Sequence, residues 1–273
     1  MSLFSLFSQG LVKENFVFFD VETTGLYPLA GERVVEIAML KVSGGEIIDK
    51  LEIMLNPEIS MPPEVTAINH ITDDMLKDCP VFTKELAEKI LKFIDNYILV
   101  AHNAAFDLGF LSTEFGRQEI LFDKWNAIDT LKIAVHLFPG QKNRLESLMK
   151  RYNITQVGDL HRALNDTIIL QKVFFEMLDE TDIRNKTTEN LINKFGFKGN
   201  FEQFPIPKVI KDSLSEKKVI SAKYKKRDGK STNLDIIPLS FAWVEKKWFL
   251  IAKDMKSSNI LSLYTDSFLE FYS

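Results

Sequence analysis

The chain has 273 residues, 45% hydrophobic and 26% charged with a formal net charge of −4, a length at which single cores usually stop growing and two domains are expected. No apolar run approaches the ~18 residues that cross a bilayer, and the opening MSLFSLFSQG is too short for a secretory signal, which excludes a membrane partner and predicts a cytoplasmic protein. The single cysteine, Cys79, excludes an internal disulfide and has no Cys or His neighbour at zinc-ligand spacing.

In chain order, residues 1–13 read as a tail. Phe16–Glu22 (FVFFDVE) is a continuous apolar run ending on two carboxylates, the pattern of a strand buried on both faces. Val34–Val42 and Ile47–Leu55 follow as strands, joined by a turn at Ser43-Gly44-Gly45, which predicts an antiparallel meander. Helical spacing of Leu86, Ile90, Phe93, Ile94 and Tyr97 precedes a short apolar strand, Ile98–Ala101. Phe106, Phe110 and Leu111 would anchor a helix after it, Leu145–Tyr152 repeats the helical pattern, and another helix is expected from after Leu160 through Phe174. Strands first, then strands alternating with helices, predict a mixed α/β sheet flanked by helices over 14–178. Residues 179–204 turn polar and aperiodic and read as a linker. A short helix near Lys208 and alternating runs at Val219–Tyr224, Leu234–Val244 and Trp248–Lys253 then predict a small β-rich domain over 205–273.

Asp20 and Glu22 stand two apart on the first strand, so their side chains leave one face and can meet at one site. Burying like charges together is costly unless a divalent cation lies between them. The residues alone also allow a structural strand end. Asp107 follows the strand Ile98–Ala101 and is either a third ligand or a polar helix start. His161 and Asp166 are five apart, about 140° around a regular helix, so His161 is expected ahead of the helix and Asp166 within it. Four carboxylates from three segments supply the hard oxygen ligands that Mg²⁺ or Mn²⁺ prefers, and a histidine supplies a base that titrates near neutrality. That set suits hydrolysis of a phosphodiester by two divalent cations. His70, His102 and His136 read as packing or hydrogen-bonding residues, and Glu36 as support for the site or a paired buried acid.

Three segments, DVETTGL (20–26), AHNAAFDLGFL (101–111) and HRALNDT (161–167), resemble the exonuclease motifs of the DnaQ-like DEDDh family, whose members include proteins like the DNA polymerase III epsilon subunit. The resemblance implies a ribonuclease H-like fold over 14–178 and a 3′→5′ exonuclease acting on the 3′ end of single-stranded DNA or RNA, with DNA ahead of RNA. It implies that Asp20 bridges two cations, that Glu22, Asp166 and Asp107 complete their shell, and that His161 is the general base. Thr23, Thr24, Gly25 and Leu26 resemble the segment lying against the terminal nucleotide, and Asn103 either helps shape that pocket or is structural.

Residues 205–273 carry 13 Lys+Arg against 8 Asp+Glu, whereas residues 1–204 carry 21 against 30, so a basic end is attached to an acidic body. Within it, IIPLSFAWVEKKWFLIAKD (236–254) resembles a WYL domain, with Pro238 upstream and Trp248-Phe249-Leu250 at the naming tripeptide, Phe249 replacing Tyr. That resemblance implies a small Sm-like barrel that binds nucleic acid or a nucleotide-like ligand. Lys223, Lys225, Lys226 and Arg227 are candidate phosphate contacts or a solvated hairpin, and Tyr224 is expected to point inward. The rival reading is a non-catalytic or ligand-gated regulatory protein with the WYL-like domain as sensor. Ser2–Phe7 (SLFSLF) resembles peptides that dock onto a replication sliding clamp.

Overall fold

The computed structural model describes residues 14–155, 161–183, 185–197, 206–244 and 247–272. The tail with its clamp-like peptide lies outside these residues. β1 (Asn15–Thr23) is the third strand of a six-stranded sheet of order β3-β2-β1-β4-β5-β6, with β2 (Val34–Ser43), β3 (Glu46–Met54), β4 (Ile98–Ala101), β5 (Ala127–Asp129) and β6 (Gly196–Phe197). β1, β2 and β3 form the expected antiparallel meander, while β4 and β5 run parallel to β1 and β6 runs antiparallel to β5. The fold is therefore a mixed α/β sheet flanked by helices.

The apolar run of β1 serves both faces of this sheet. Phe16 and Phe18 point into one core with Leu170 and Phe174 of α7 (Ala163–Leu178), where Phe16 and Phe174 meet edge to face at 5.3 Å. Val17, Phe19 and Val21 point into the other, against α3 (Lys84–Ile94) and α4 (Ala104–Arg117). Successive strand residues alternate faces, so Asp20 and Glu22 extend the row begun by Phe16 and Phe18. Both carboxylates thus fall on the α7 side, at the end where the pairing of β1 with β2 breaks between Glu22 and Thr23.

Elsewhere in this half, α1 (Pro63–Asn69), α2 (Asp73–Leu76), α5 (Thr130–Leu137) and α6 (Leu145–Arg151) connect or cover the strands. The stretch read as a linker carries order. Thr187 and Asn190 cap each other's backbone N–H groups at 3.2 Å, and Leu191 and Phe195 bury themselves, making α8 (Thr188–Phe195), which feeds β6 into the sheet beside β5. Reciprocal capping and two buried apolar groups suffice to order a segment whose polar composition suggests none.

After α9 (Lys208–Glu216), β7 (Ile220–Lys225), β8 (Ser231–Val244), β9 (Lys247–Asp254), β10 (Ile260–Tyr264) and β11 (Phe268–Tyr272) form an antiparallel sheet of order β10-β9-β8-β7-β11. This sheet packs on α4. At about 100° per residue, Ala105, Gly109, Ser112 and Gly116 lie opposite Asp107 on that helix. A Cβ at Gly116 would stand 2.6 Å from Ile251 Cγ2, so the small-residue face is what admits the second sheet. The junction is sealed by Phe122 N donating to Ser240 Oγ (3.2 Å) and by Trp125 against Trp248 with ring centroids 5.0 Å apart.

Candidate active site

Three elements deliver the sequence-predicted acids to one place. β1 brings Asp20 and Glu22, α4 brings Asp107, and the start of α7 brings Asp166 with His161 just ahead of it. Ligand atoms of Glu22, His161 and Asp166 lie within 4.8 Å of one another. Asp107 Oδ1 accepts from Val21 N (3.1 Å), which turns its carboxyl toward the Asp20 strand end. His161 has a left-handed backbone (φ 59°), and its N–H donates to Asp166 Oδ2 at 3.1 Å. The histidine therefore precedes the helix and still reaches the aspartate, as the five-residue separation requires.

The supporting contacts use residues whose roles the sequence leaves open. Glu36 is fully buried opposite Glu22 on β2. It accepts from Arg162 Nε (3.2 Å) and Nη2 (3.0 Å) and from Ala163 N (3.1 Å), tying the first turn of α7 to the sheet. A second fork fixes the loop after β1: Glu114 of α4 accepts from Arg33 Nε (2.8 Å) and Nη2 (3.1 Å) and from Arg117 Nη1 (2.8 Å). Neither Arg33 nor Arg162 stands at a spacing that marks its partner, since each fork spans 81 or 126 residues.

That loop holds the residues expected at the terminal nucleotide. Thr24 is buried and its hydroxyl accepts from Arg33 N (2.9 Å), while Thr23 Oγ1 donates to Gly25 O (2.5 Å), so both hydroxyls brace the loop itself. A Cβ at Gly25 would collide with the Glu32 carboxylate, which accepts from Tyr27 N. Leu26 and Tyr27 are left 66% and 53% exposed. Asn103 begins α4 with φ 74°, donates its N–H to Asp129 Oδ1 (3.0 Å), and shares a cavity lining with Leu26 and Phe106.

Crowding sets the electrostatics. Burial first, and then Asp107, Glu22 and Asp166, push the Asp20 carboxyl well above the usual carboxylate range. Burial, with Asp166 and Glu36 behind it, raises Glu22 to about 8. Burial likewise raises Asp107 to about 8, against the pull of the Val21 N–H. Asp166 is raised by burial, with His161 opposing, and its buried Oδ1 has no hydrogen-bond partner among the described residues. Acids gathered this closely, one with an orphaned buried oxygen, are the donor set a hard divalent cation fits.

The candidate phosphate contacts lie elsewhere. Lys225, Lys226 and Arg227 are exposed on the β7–β8 hairpin and line a groove that reaches Tyr27, but not the carboxylates. Lys223 does not line it and sits across from Glu270 on β11. Tyr224 points inward, its hydroxyl accepting from Tyr264 N (3.0 Å). His102 Nδ1 contacts Thr130 Oγ1 (2.9 Å), and burial lowers its pKa to about 4, while His136 packs on Phe195.

A helix-flanked mixed sheet with acids converging at the end of its third strand presents a site suited to hard divalent cations. The Exonuclease family (RNase_T) matches residues 17–174, and the chain belongs to that family. It is 38% identical over 184 residues to the DNA polymerase III subunit epsilon of Rickettsia prowazekii (strain Madrid E), covering 65% of this chain and 78% of that protein. It is 40% identical over 172 residues to the PolC-type DNA polymerase III of Bacillus subtilis (strain 168), covering 62% of this chain but spanning only 12% of the polymerase. Among solved structures, exonuclease X in complex with 5′ overhanging duplex DNA superposes with a TM-score of 0.53 at 27% identity, covering 66% of this chain and 99% of that one. A 3′-exonuclease that recognises the histone mRNA stem-loop shares the fold at a TM-score of 0.56 and 16% identity, covering 66% of this chain and 68% of its own.

Proposed function

We propose that this chain is a divalent-cation-dependent 3′→5′ exonuclease that releases nucleoside monophosphates from single-stranded nucleic acid, DNA ahead of RNA. The observation that carries the reading is the convergence of Asp20, Glu22, Asp107 and Asp166 with His161 at one strand end, around an oxygen of Asp166 that no group among the described residues satisfies. The epsilon-subunit relative and the DNA in the exonuclease X complex favour DNA.

In this reading Asp20, Glu22, Asp107 and Asp166 hold two cations, Mg²⁺ or Mn²⁺. When bound, these supply a polarised attacking water and stabilisation of the leaving oxygen. An imidazole nitrogen of His161 takes the proton from the water as its oxygen attacks phosphorus. The P–O3′ bond breaks, the departing O3′ takes a proton from solvent while His161 returns its own, the mononucleotide leaves with the phosphate, and the shortened strand keeps a 3′-hydroxyl. Leu26 packs beside the terminal base, and the Thr23-Thr24-Gly25 segment, with both threonines buried, holds it there. Asn103 shapes the far wall of the same pocket.

Residues 14–178, whose sheet is completed by β6 from the joining stretch 179–204, form the catalytic unit of this proposal, and 205–273 a WYL-like, Sm-like module. Lys225, Lys226 and Arg227 contact phosphates, whereas the place of Lys223 opposite Glu270 argues for a structural part. One observation favours the ligand-gated alternative: the second sheet packs directly on α4, the helix that carries Asp107. Docking of Ser2–Phe7 on a sliding clamp and a cytoplasmic location complete the reading. Among the described residues, no helix is long and apolar enough to cross a membrane.

The deciding experiment follows 3′- and 5′-labelled single-stranded DNA and RNA with Mn²⁺, Mg²⁺ or EDTA, comparing wild type with Asp166→Asn. Metal-dependent shortening from the 3′ end that the substitution abolishes is the expected result. No metal-dependent cleavage of either polymer by a folded wild type would rule the reading out in favour of a gated or non-catalytic binder.

A further inference from the structure

Two cavities meet beside the loop after β1. The first, of about 670 Å³, runs between the loop after β1 and the second sheet, with Leu26, Asn103 and Phe106 on one side and Trp243 on the other. The second, of about 890 Å³, continues along that sheet past Phe249 and Tyr264 to Lys225, Lys226, Arg227 and Lys247. Tyr27 and Val244 line both, so the two form one groove leading from the terminal-nucleotide loop to the basic hairpin.

The chemistry changes along this groove in a way that suits a polynucleotide. At the end beside Leu26 and Asn103 the walls are mainly aromatic and apolar, with Asp129 and Lys132 among them, and Tyr27 stands 53% exposed beside the exposed Leu26. Among the described residues the loop is held by its backbone, Glu32 and the Arg33–Glu114 fork, none of which uses that ring. At the far end four cations face one space, and among the described residues none of them has a carboxylate partner within 4.0 Å. Aromatic rings followed by cations without carboxylate partners, Lys247 among them over the Tyr264 ring at 5.3 Å, match bases that stack and phosphates that need neutralising, with no demand on sequence.

We propose that this groove carries the single strand upstream of the scissile nucleotide, with Tyr27 stacking on a base and Lys225, Lys226, Arg227 and Lys247 gripping the phosphates beyond it. The inference rests on the exonuclease reading for its direction: the 3′ end lies at the acids and the strand runs 5′-ward over the second sheet. The basic C-terminal unit then lowers KM for long strands and leaves the chemistry to the acidic one.

The test compares wild type with two variants altered at exposed positions, Tyr27→Ala and the triple Lys226→Ala/Arg227→Ala/Lys247→Ala. With Mn²⁺, KM is measured for 5′-labelled strands from a dinucleotide to about twelve nucleotides, and with EDTA, Kd for the longest strand is followed against salt. In wild type, KM should fall about tenfold from the shortest to the longest strand, and the triple variant should lose that gain. Its slope of log Kd against log salt should shrink by about 2, at roughly 0.7 per phosphate contact on a single strand. Tyr27→Ala should weaken long-strand binding about fivefold or more. A wild-type KM independent of length, or variants that keep both gain and slope, would overturn the track and leave the exonuclease standing. A wild type that cleaves no strand of any length would remove the exonuclease and the track together.

Discussion

Asp20, Glu22, Asp107 and Asp166 are each pushed upward chiefly by burial, two of them to about 8, so the folded chain binds protons that the unfolded chain has already released. Carboxyls raised on folding contribute stability that is present below their unfolded values near 4 and lost as pH climbs through the folded ones. In EDTA the melting temperature should therefore fall between pH 5 and pH 8, by roughly 5 °C or more for a chain of this size, and Mg²⁺ or Mn²⁺ should restore most of it at the alkaline end. Asp107→Asn should flatten the EDTA profile. A wild-type profile that is flat or rising across that window would show that the acids are not crowded as described.

At the scale of elements, α7 is steered by one buried carboxylate. Glu36 takes three donors from Arg162 and Ala163, and replacing it with Gln sets an amide donor among them. Breaking a buried pair costs about 3–5 kcal/mol, less where one partner keeps solvent as Arg162 does, so Glu36→Gln should lose about 2–3 kcal/mol in denaturant melts. Because Asp166 and His161 ride on the same turn, kcat should fall further than KM rises; a loss of stability with kcat intact would confine Glu36 to the fold. α4 makes the complementary prediction. Gly116→Val puts a branched side chain where a Cβ already meets Ile251 at 2.6 Å, and overpacking of this kind should cost about 1–3 kcal/mol. Unchanged melting would mean the second sheet yields. Much of this was legible in advance: β1, β2, β3, α3 and β4 follow their apolar periods, and the five chemical residues sit in three motifs. Three-residue β5 and two-residue β6 are too short to show any period, and α8 hides its two buried apolar residues in a polar stretch. The forks on Glu36 and Glu114 join residues far apart in sequence, which no local pattern can announce.

The whole molecule turns on α4, whose one face presents Asp107 to the site and whose opposite face receives the second sheet. A polar stretch at 179–204 suggests two bodies on a tether, but one apolar cluster runs from Val17 and Phe19 through Phe115, Phe122 and Trp125 into Phe241 and Leu250. Residues sharing a buried cluster lose their cover together, so the two halves should not melt independently. Calorimetry of the full chain should give a single transition whose calorimetric and van't Hoff enthalpies agree, and Gly116→Val should shift that transition as a unit. A chain ending at residue 204 would leave Phe122 and Trp125 bare against water, and it should melt well below the full protein, by about 10 °C or more, or aggregate. Two separate transitions in the full chain, with the 1–204 fragment reproducing one of them, would restore the tethered picture, and the helix bearing Asp107 would then owe nothing to the sheet behind it.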